Sequence, residues 1–145
     1  MAGEPGRVLA LDYGAKRVGV AMSDPLQILA SGVGTWANDA GLLTAIAKHV
    51  QDEMVVLIVV GMPYAPDGGK GTKAREVEAF MERLRGVVQV PLTTWDESYT
   101  SVEAHQAFRG GGMKKKQRRD RAGVDTMAAR ILLQQFLDAQ PARQG

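Results

Sequence analysis

The run Val55–Val60, VVLIVV, is continuously apolar and mostly β-branched. It falls well short of the roughly 18 residues that a membrane span requires, and its residue types favour strands. A strand with no polar alternation has no face to turn to water, so it belongs inside a sheet that is covered on both sides. Helices on both faces of a sheet define an α/β architecture. The run stops at Gly61-Met62-Pro63.

A second apolar run, Val8-Leu9-Ala10-Leu11, ends at Asp12. A carboxylate at the end of a buried strand is costly unless something pairs with it or coordinates it. Tyr13-Gly14 then turns the chain, and Val18-Gly19-Val20-Ala21-Met22 begins another strand. Strand one is expected over about Arg7–Leu11 and strand two over about Arg17–Ser23. After an Asp24-Pro25 turn, a third strand is expected over Ile28–Trp36, weakened by Gly32 and Gly34. Connections this short imply antiparallel pairing.

Asn38 or Asp39 is placed to cap a helix running to about Gln51, with Leu42, Leu43, Ile46, Ala47 and Val50 on one face. After VVLIVV come a loop over Ala65–Gly71 and a helix over Thr72–Leu84. Val87–Trp95 supplies the fifth strand, with Pro91 confining its regular part to an edge or to the residues that follow. Thr100 and Glu103 have capping-box spacing for a helix over Ser101–Phe108. A last helix spans about Arg121–Ala139, its buried face drawn through Val124, Ala128, Ile131 and Leu132. The order βββ-α-β-α-β-α-α predicts a mixed five-stranded sheet flanked by helices: three antiparallel strands, then two reached by parallel crossovers.

At 145 residues the chain suits one domain, spanning 1–145, with residues 1–6 and 140–145 expected to fray. Apolar content of 45% and charged content of 23% are ordinary for a soluble globular protein. Without cysteine there are no disulfides or thiolate zinc sites, which suits a cytoplasmic location. The start, MAGEPGR, lacks the features of a signal peptide. Net charge is only +2, but residues 101–145 hold nine Lys and Arg against four Asp and Glu. That bias suggests an anionic partner. Much of it lies in Gly110–Arg121, where three glycines precede Lys114, Lys115, Lys116, Arg118, Arg119 and Arg121. Like charges repel and no core can form there, so residues 110–120 are expected to be a mobile basic loop that takes phosphates.

Three carboxylates abut buried elements. Asp12 ends strand one, and Glu97 follows strand five. Asp125 lies in the first turn of the last helix and shares a side with Ala128, Ala129 and Leu132. Strands one and five, if parallel and close, would bring Asp12 and Glu97 out at the same edge of the sheet, where the last helix can add Asp125. Converging carboxylates repel unless cations separate them, and oxygen-only ligands favour Mg²⁺ or Mn²⁺. Such a site suits in-line displacement at a phosphodiester. Each acid also has an ordinary reading: a turn cap for Asp12, a solvated loop acid for Glu97, and a helix N-terminal acid for Asp125.

The segments LDYGAKRVGVAMSD, VVGMPYAPDGGKG, TTWDESYTS and VDTMAARILLQQFL resemble, in order and spacing, the motifs of the YqgF/RuvX family. The resemblance covers about Val8–Leu137. It implies an RNase H-like fold and a Holliday-junction-resolvase-like nuclease that processes the 5′ end of pre-16S ribosomal RNA. The family's acidic residues carry over to Asp12, Glu97 and Asp125, as catalytic residues and ligands for Mg²⁺ or Mn²⁺. Two positions depart from the family pattern. Ser98 stands where Arg usually follows the acidic pair, and Ala65 stands where Asn is common. Lys16, Arg17 or the basic loop could supply the missing phosphate-binding cation.

Two other function classes fit parts of the sequence. The D-Y-G-x-K-R-x-G stretch also resembles the first phosphate loop of actin-like kinases, but those need two such lobes, and Gly68–Thr72 is too short for a Walker loop. A non-catalytic nucleic-acid or ribosome-binding module would use only the basic third. His49 and His105 read as surface or partly packed residues, Trp36 and Trp95 as core or rim packing, and Lys73 and Arg75 as a solvated helix face. Asp67-Gly68 reads as a turn and Asp96 as a solvated acid. Thr100 and Ser101 read as a helix start whose amides could also hold a phosphate. No dimer seam is evident, so a monomer or weak homodimer is expected, with nucleic acid, and a pre-ribosomal particle carrying it, as partner.

Overall fold

A computed structural model describes residues 5–64, 69–97 and 121–140. Its strands are β1 (Arg7–Tyr13), β2 (Arg17–Ser23), β3 (Ala30–Ala37), β4 (Val55–Met62) and β5 (Leu92–Asp96); its helices are α1 (Leu42–Asp52), α2 (Thr72–Arg85) and α3 (Arg121–Ala139). The sheet order is β3-β2-β1-β4-β5. β1 and β3 run antiparallel to β2, whereas β4 is parallel to both β1 and β5. This is the mixed five-stranded, RNase H-like architecture expected from the sequence. The expected helix over 101–108, the basic loop and the Asp67-Gly68 turn lie outside the described residues.

The alternation of a pleated strand divides the core in two. Leu9 and Leu11 of β1 join Val18, Val20, Ile58 and Val60 against Leu42, Ile46 and Val50 of α1 and Val77, Phe80 and Leu84 of α2. Val8 and Ala10 face the other way, with Ala21 and Val59, against Ala129, Leu132, Leu133, Phe136 and Leu137 of α3. VVLIVV sits between β1 and β5, its buried residues divided between the two layers.

Several boundaries differ from expectation for identifiable reasons. β1 extends through Asp12 and Tyr13, and Asp12 pairs with Gly19 inside the ladder rather than capping a turn. β3 starts at Ala30, because Asp24 Oδ1 accepts the amides of Ile28 (2.7 Å) and Leu29 (2.8 Å) and so keeps both out of the ladder. Burial acts against ionisation of Asp24, but these amide bonds outweigh it and hold its carboxyl below the usual range. Gly41, not Asn38 or Asp39, precedes α1. Asn38 instead donates to the Gly14 carbonyl (2.8 Å) and ties down the β1–β2 hairpin.

β5 is confined to the residues after Pro91, which has no N–H for the ladder. On α3 the buried stripe runs through Ala128, Ala129, Leu132, Leu133, Phe136 and Leu137, with Val124 and Ile131 only half-buried. Gly6 and Gln140, both assigned to fraying ends, are tied: the Gly6 amide donates to the Pro25 carbonyl and Gln140 Nε2 to the Phe136 carbonyl. Trp36 meets His49 edge-on, with centroids 5.5 Å apart.

Ser23 is the buried polar side chain among the described residues. Its hydroxyl accepts the Val8 amide (2.9 Å) and donates to the Asp24 carbonyl (2.8 Å), locking the start of β1 to the end of β2. Ser23→Ala strands the Val8 amide in the core, and an unsatisfied buried group costs about 1–3 kcal/mol. The expected result is a lower denaturant midpoint with an unchanged slope.

Candidate active site

The pleat that sorts the core also places the acids. Asp12 continues the Val8 and Ala10 side of β1, which faces α3. Trp95 of β5 packs in the same layer, edge-on to Phe136 at 6.0 Å, with its indole N–H on Gln135 Oε1 at 3.1 Å. Glu97, two residues further on, falls on that side too, and its amide extends the sheet by donating to the Met62 carbonyl. Because β1, β4 and β5 are parallel, Asp12 and Glu97 emerge at one end of the sheet. A hydrogen bond joins the two carboxyl groups.

Two glycines make room for this arrangement. A Cβ on Gly19, the partner of Asp12 on β2, would lie 2.1 Å from the Asp125 carbonyl oxygen. A Cβ on Gly61 would lie 2.6 Å from both Glu97 Oε2 and Leu132 Cδ1. The bare Cα of Gly19 thus lets α3 settle on the sheet at Asp125, one turn in from its start, and that of Gly61 admits the Glu97 side chain. Thr35 and Thr126 hydroxyls, 2.7 Å apart, further fix this end of α3 against β3.

The electrostatics follow from this crowding. Burial, then the hydrogen bond to Glu97, then the negative charges of Glu97 and Asp125 hold the Asp12 carboxyl well above its usual range. Lys73, in the first turn of α2, opposes the shift, so its charge reaches Asp12. The sequence reading of Lys73 as merely a solvated helix face missed this, because nothing in the spacing links α2 to β1. Gly19 and Gly61 were missed as well, although glycine inside an apolar strand signals close approach of another group.

Asp125 is turned toward β2, where its Oδ2 accepts Arg17 Nε at 2.9 Å. As the side chains stand, no group of three acidic or imidazole side chains among the described residues is arranged around a single ion. The donors nevertheless suit a hard cation: all are carboxylate oxygens, and Asp12 is crowded by the charges of Glu97 and Asp125, a repulsion that a cation would relieve. Lys16 is exposed on the hairpin beside Arg17. Lys114, Lys115, Lys116, Arg118 and Arg119 lie outside the described residues, and Arg121 opens α3. An open groove of about 770 Å³ runs between β5 and the C-terminal end of α3, lined by Tyr64, Thr94, Trp95, Asp96, Gln135 and Asp138 among others, and none of the three acids lines it.

Among solved structures, the fold is similar to that of fowlpox virus resolvase bound to Holliday junction DNA (TM-score 0.55, 9% identity, covering 92% of this chain and 97% of that one). It is also similar to Thermus thermophilus RuvC with a Holliday junction substrate (TM-score 0.54, 14% identity, covering 92% and 94%). The fold is thus that of the RNase H-like resolvases. The sequence narrows this further: residues 6–139 match the family model described as RuvX, Holliday junction resolvase, and the chain belongs to that family. Proteins named "Putative pre-16S rRNA nuclease" from Phocaeicola vulgatus (42% identical, covering 92% of this chain and 96% of the relative) and from Roseiflexus sp. (40%, covering 97% and 99%) are similar over nearly their full lengths. The chain is a nuclease, a hydrolase acting on phosphodiester bonds.

Proposed function

We propose that the chain is a divalent-metal-dependent nuclease whose catalytic residues are Asp12, Glu97 and Asp125. Its proposed substrates are the 5′ end of pre-16S ribosomal RNA, branched DNA such as Holliday junctions, or both. The observation that carries this reading is the placement of Asp12 and Glu97 at one end of three parallel strands, with the Asp125 backbone against Gly19, the ladder partner of Asp12. Asp12, Glu97 and Asp125 would hold one or two Mg²⁺ or Mn²⁺ ions, which when bound supply activation of water and charge stabilisation at the phosphodiester.

The chain's own groups do the rest. β1 and β5 fix the backbones of Asp12 and Glu97, Gly19 seats Asp125, and Lys73 and Lys16 add positive charge near the acids. The basic residues of 114–121 neutralise further phosphates without reading bases. No helix among the described residues is long and apolar enough to cross a membrane. We place the protein in the cytoplasm, acting as a monomer or weak homodimer on nucleic acid and on the pre-ribosomal particle that carries it.

The reading is tested by comparing cleavage with binding for wild type and for a variant with Lys114, Lys115, Lys116, Arg118 and Arg119 changed to Ser. Weaker binding to every nucleic acid is expected, with little change in melting temperature. The salt slope should become shallower by roughly 0.7–0.9 for each lost phosphate contact. Unchanged affinity and slope would make that segment a bystander.

A further inference from the structure

The mechanism above asks Asp125 to face a metal, yet its carboxylate faces a guanidinium. Arg17 Nε lies 2.9 Å from Asp125 Oδ2, and the two side chains are 35% and 26% exposed. The pair spans more than a hundred residues of sequence and joins the first residue of β2 to the N-terminal part of α3, one turn in from Arg121. Gly19, two residues along β2, has the Asp125 backbone directly against it, so α3 approaches β2 closely beside Arg17. The Asp125 charge also reaches Asp12. One carboxylate therefore stands between the Arg17 guanidinium on β2 and the acids Asp12 and Glu97, with which it would share a metal.

We propose that Arg17 is the resident counter-cation of Asp125 in the metal-free protein, and that a divalent ion must compete with its guanidinium for this carboxylate. Arg17 is thereby a positioning residue: its guanidinium holds and aims the Asp125 carboxylate while the site is empty of metal, at the cost of weaker metal binding. The inference rests on the reading of Asp125 as a metal ligand. Two positive groups on one half-exposed carboxylate repel each other, and the repulsion is moderated by nearby water. Removing the guanidinium charge should then strengthen metal binding, whereas a simple anchoring role predicts the opposite.

The test is calorimetric titration of Mn²⁺ into the full chain, without nucleic acid, for wild type, Arg17→Gln, Arg17→Lys and Asp12→Asn. Arg17→Gln is expected to bind Mn²⁺ about three- to tenfold more tightly than wild type. Arg17→Lys, which keeps the charge, should stay within about twofold of wild type. Equal or weaker Mn²⁺ binding by Arg17→Gln, with binding lost in Asp12→Asn, would overturn the competition while leaving the metal site standing. Mn²⁺ binding by Asp12→Asn that matches wild type would instead overturn the site reading, and this inference with it.

Discussion

Asp12→Asn is expected to abolish cleavage and, in metal-free buffer near pH 8, to melt at a higher temperature than wild type. Bound divalent metal is worth several kcal/mol of transition-state stabilisation, and each 1.4 kcal/mol is tenfold in rate. Loss of one of the carboxylates that would hold the metal should therefore reduce the rate by on the order of a thousandfold or more. The stability gain has a separate origin. The native Asp12 carboxyl is held well above the ordinary 3.8 by burial first, then by the Glu97 hydrogen bond and the charges of Glu97 and Asp125. The folded state therefore keeps its proton where the unfolded chain has released it. The stability linked to this group is fully present below the unfolded value and is lost as pH rises through the raised native value. An amide at residue 12 has no charge to bury, so the variant's advantage should be large at pH 8 and vanish toward pH 4. Melting curves across this range in EDTA check it. A wild-type advantage at pH 8 would mean that the acids are not crowded in solution.

Gly19→Ala should damage fold and site together. The added methyl would meet the Asp125 carbonyl oxygen at 2.1 Å and its carbon at 2.6 Å. These are backbone atoms of α3, which cannot swing aside as a side-chain tip can. Overpacking of this kind costs about 1–3 kcal/mol and occasionally more. For a chain of this size each 1 kcal/mol lowers the melting temperature by roughly 2–4 °C. Retreat of α3 would also carry Asp125 away from Asp12 and Arg17. The expected variant folds with a melting temperature lower by roughly 2–12 °C, and its cleavage falls further than its folded fraction. Gly61→Ala should be milder, because Glu97 Oε2 and Leu132 Cδ1 are side-chain termini that can give. Equal melting temperatures for wild type and Gly19→Ala would show that α3 sits further from the sheet.

The parts legible in the sequence were those governed by local periodicity. VVLIVV demanded an interior strand, and β4 lies between β1 and β5. The α3 limits Arg121–Ala139 followed from a continuous apolar repeat. The stripe through Val124 and Ile131 was misdrawn because α3 buries adjacent pairs, Ala128-Ala129, Leu132-Leu133 and Phe136-Leu137, against a broad sheet. Ile28 and Leu29 look like strand residues, yet they lie in a loop 59% and 65% exposed, because Asp24 captures their amides. A side-chain-to-backbone bond of that kind leaves no periodic trace.

The same division holds at the candidate site. Asp12, Glu97 and Asp125 could be picked out because each abuts a buried element, and the structure joins the first two and brings the charge of the third to bear on Asp12. The Arg17–Asp125 pair, the reach of Lys73 and the space left by Gly19 and Gly61 depend on contacts between elements far apart in sequence. No local spacing encodes them.

The most direct measurement is product mapping with purified wild-type protein. Labelled precursor 16S ribosomal RNA and a four-way DNA junction would be incubated side by side with Mg²⁺, with Mn²⁺ and with excess EDTA. The expected result is phosphodiester cleavage at defined positions in at least one substrate, appearing with either ion and absent in EDTA. Undiminished cleavage in excess EDTA would contradict a metal-dependent nuclease built on Asp12, Glu97 and Asp125, as would binding of both substrates without cleavage under either ion.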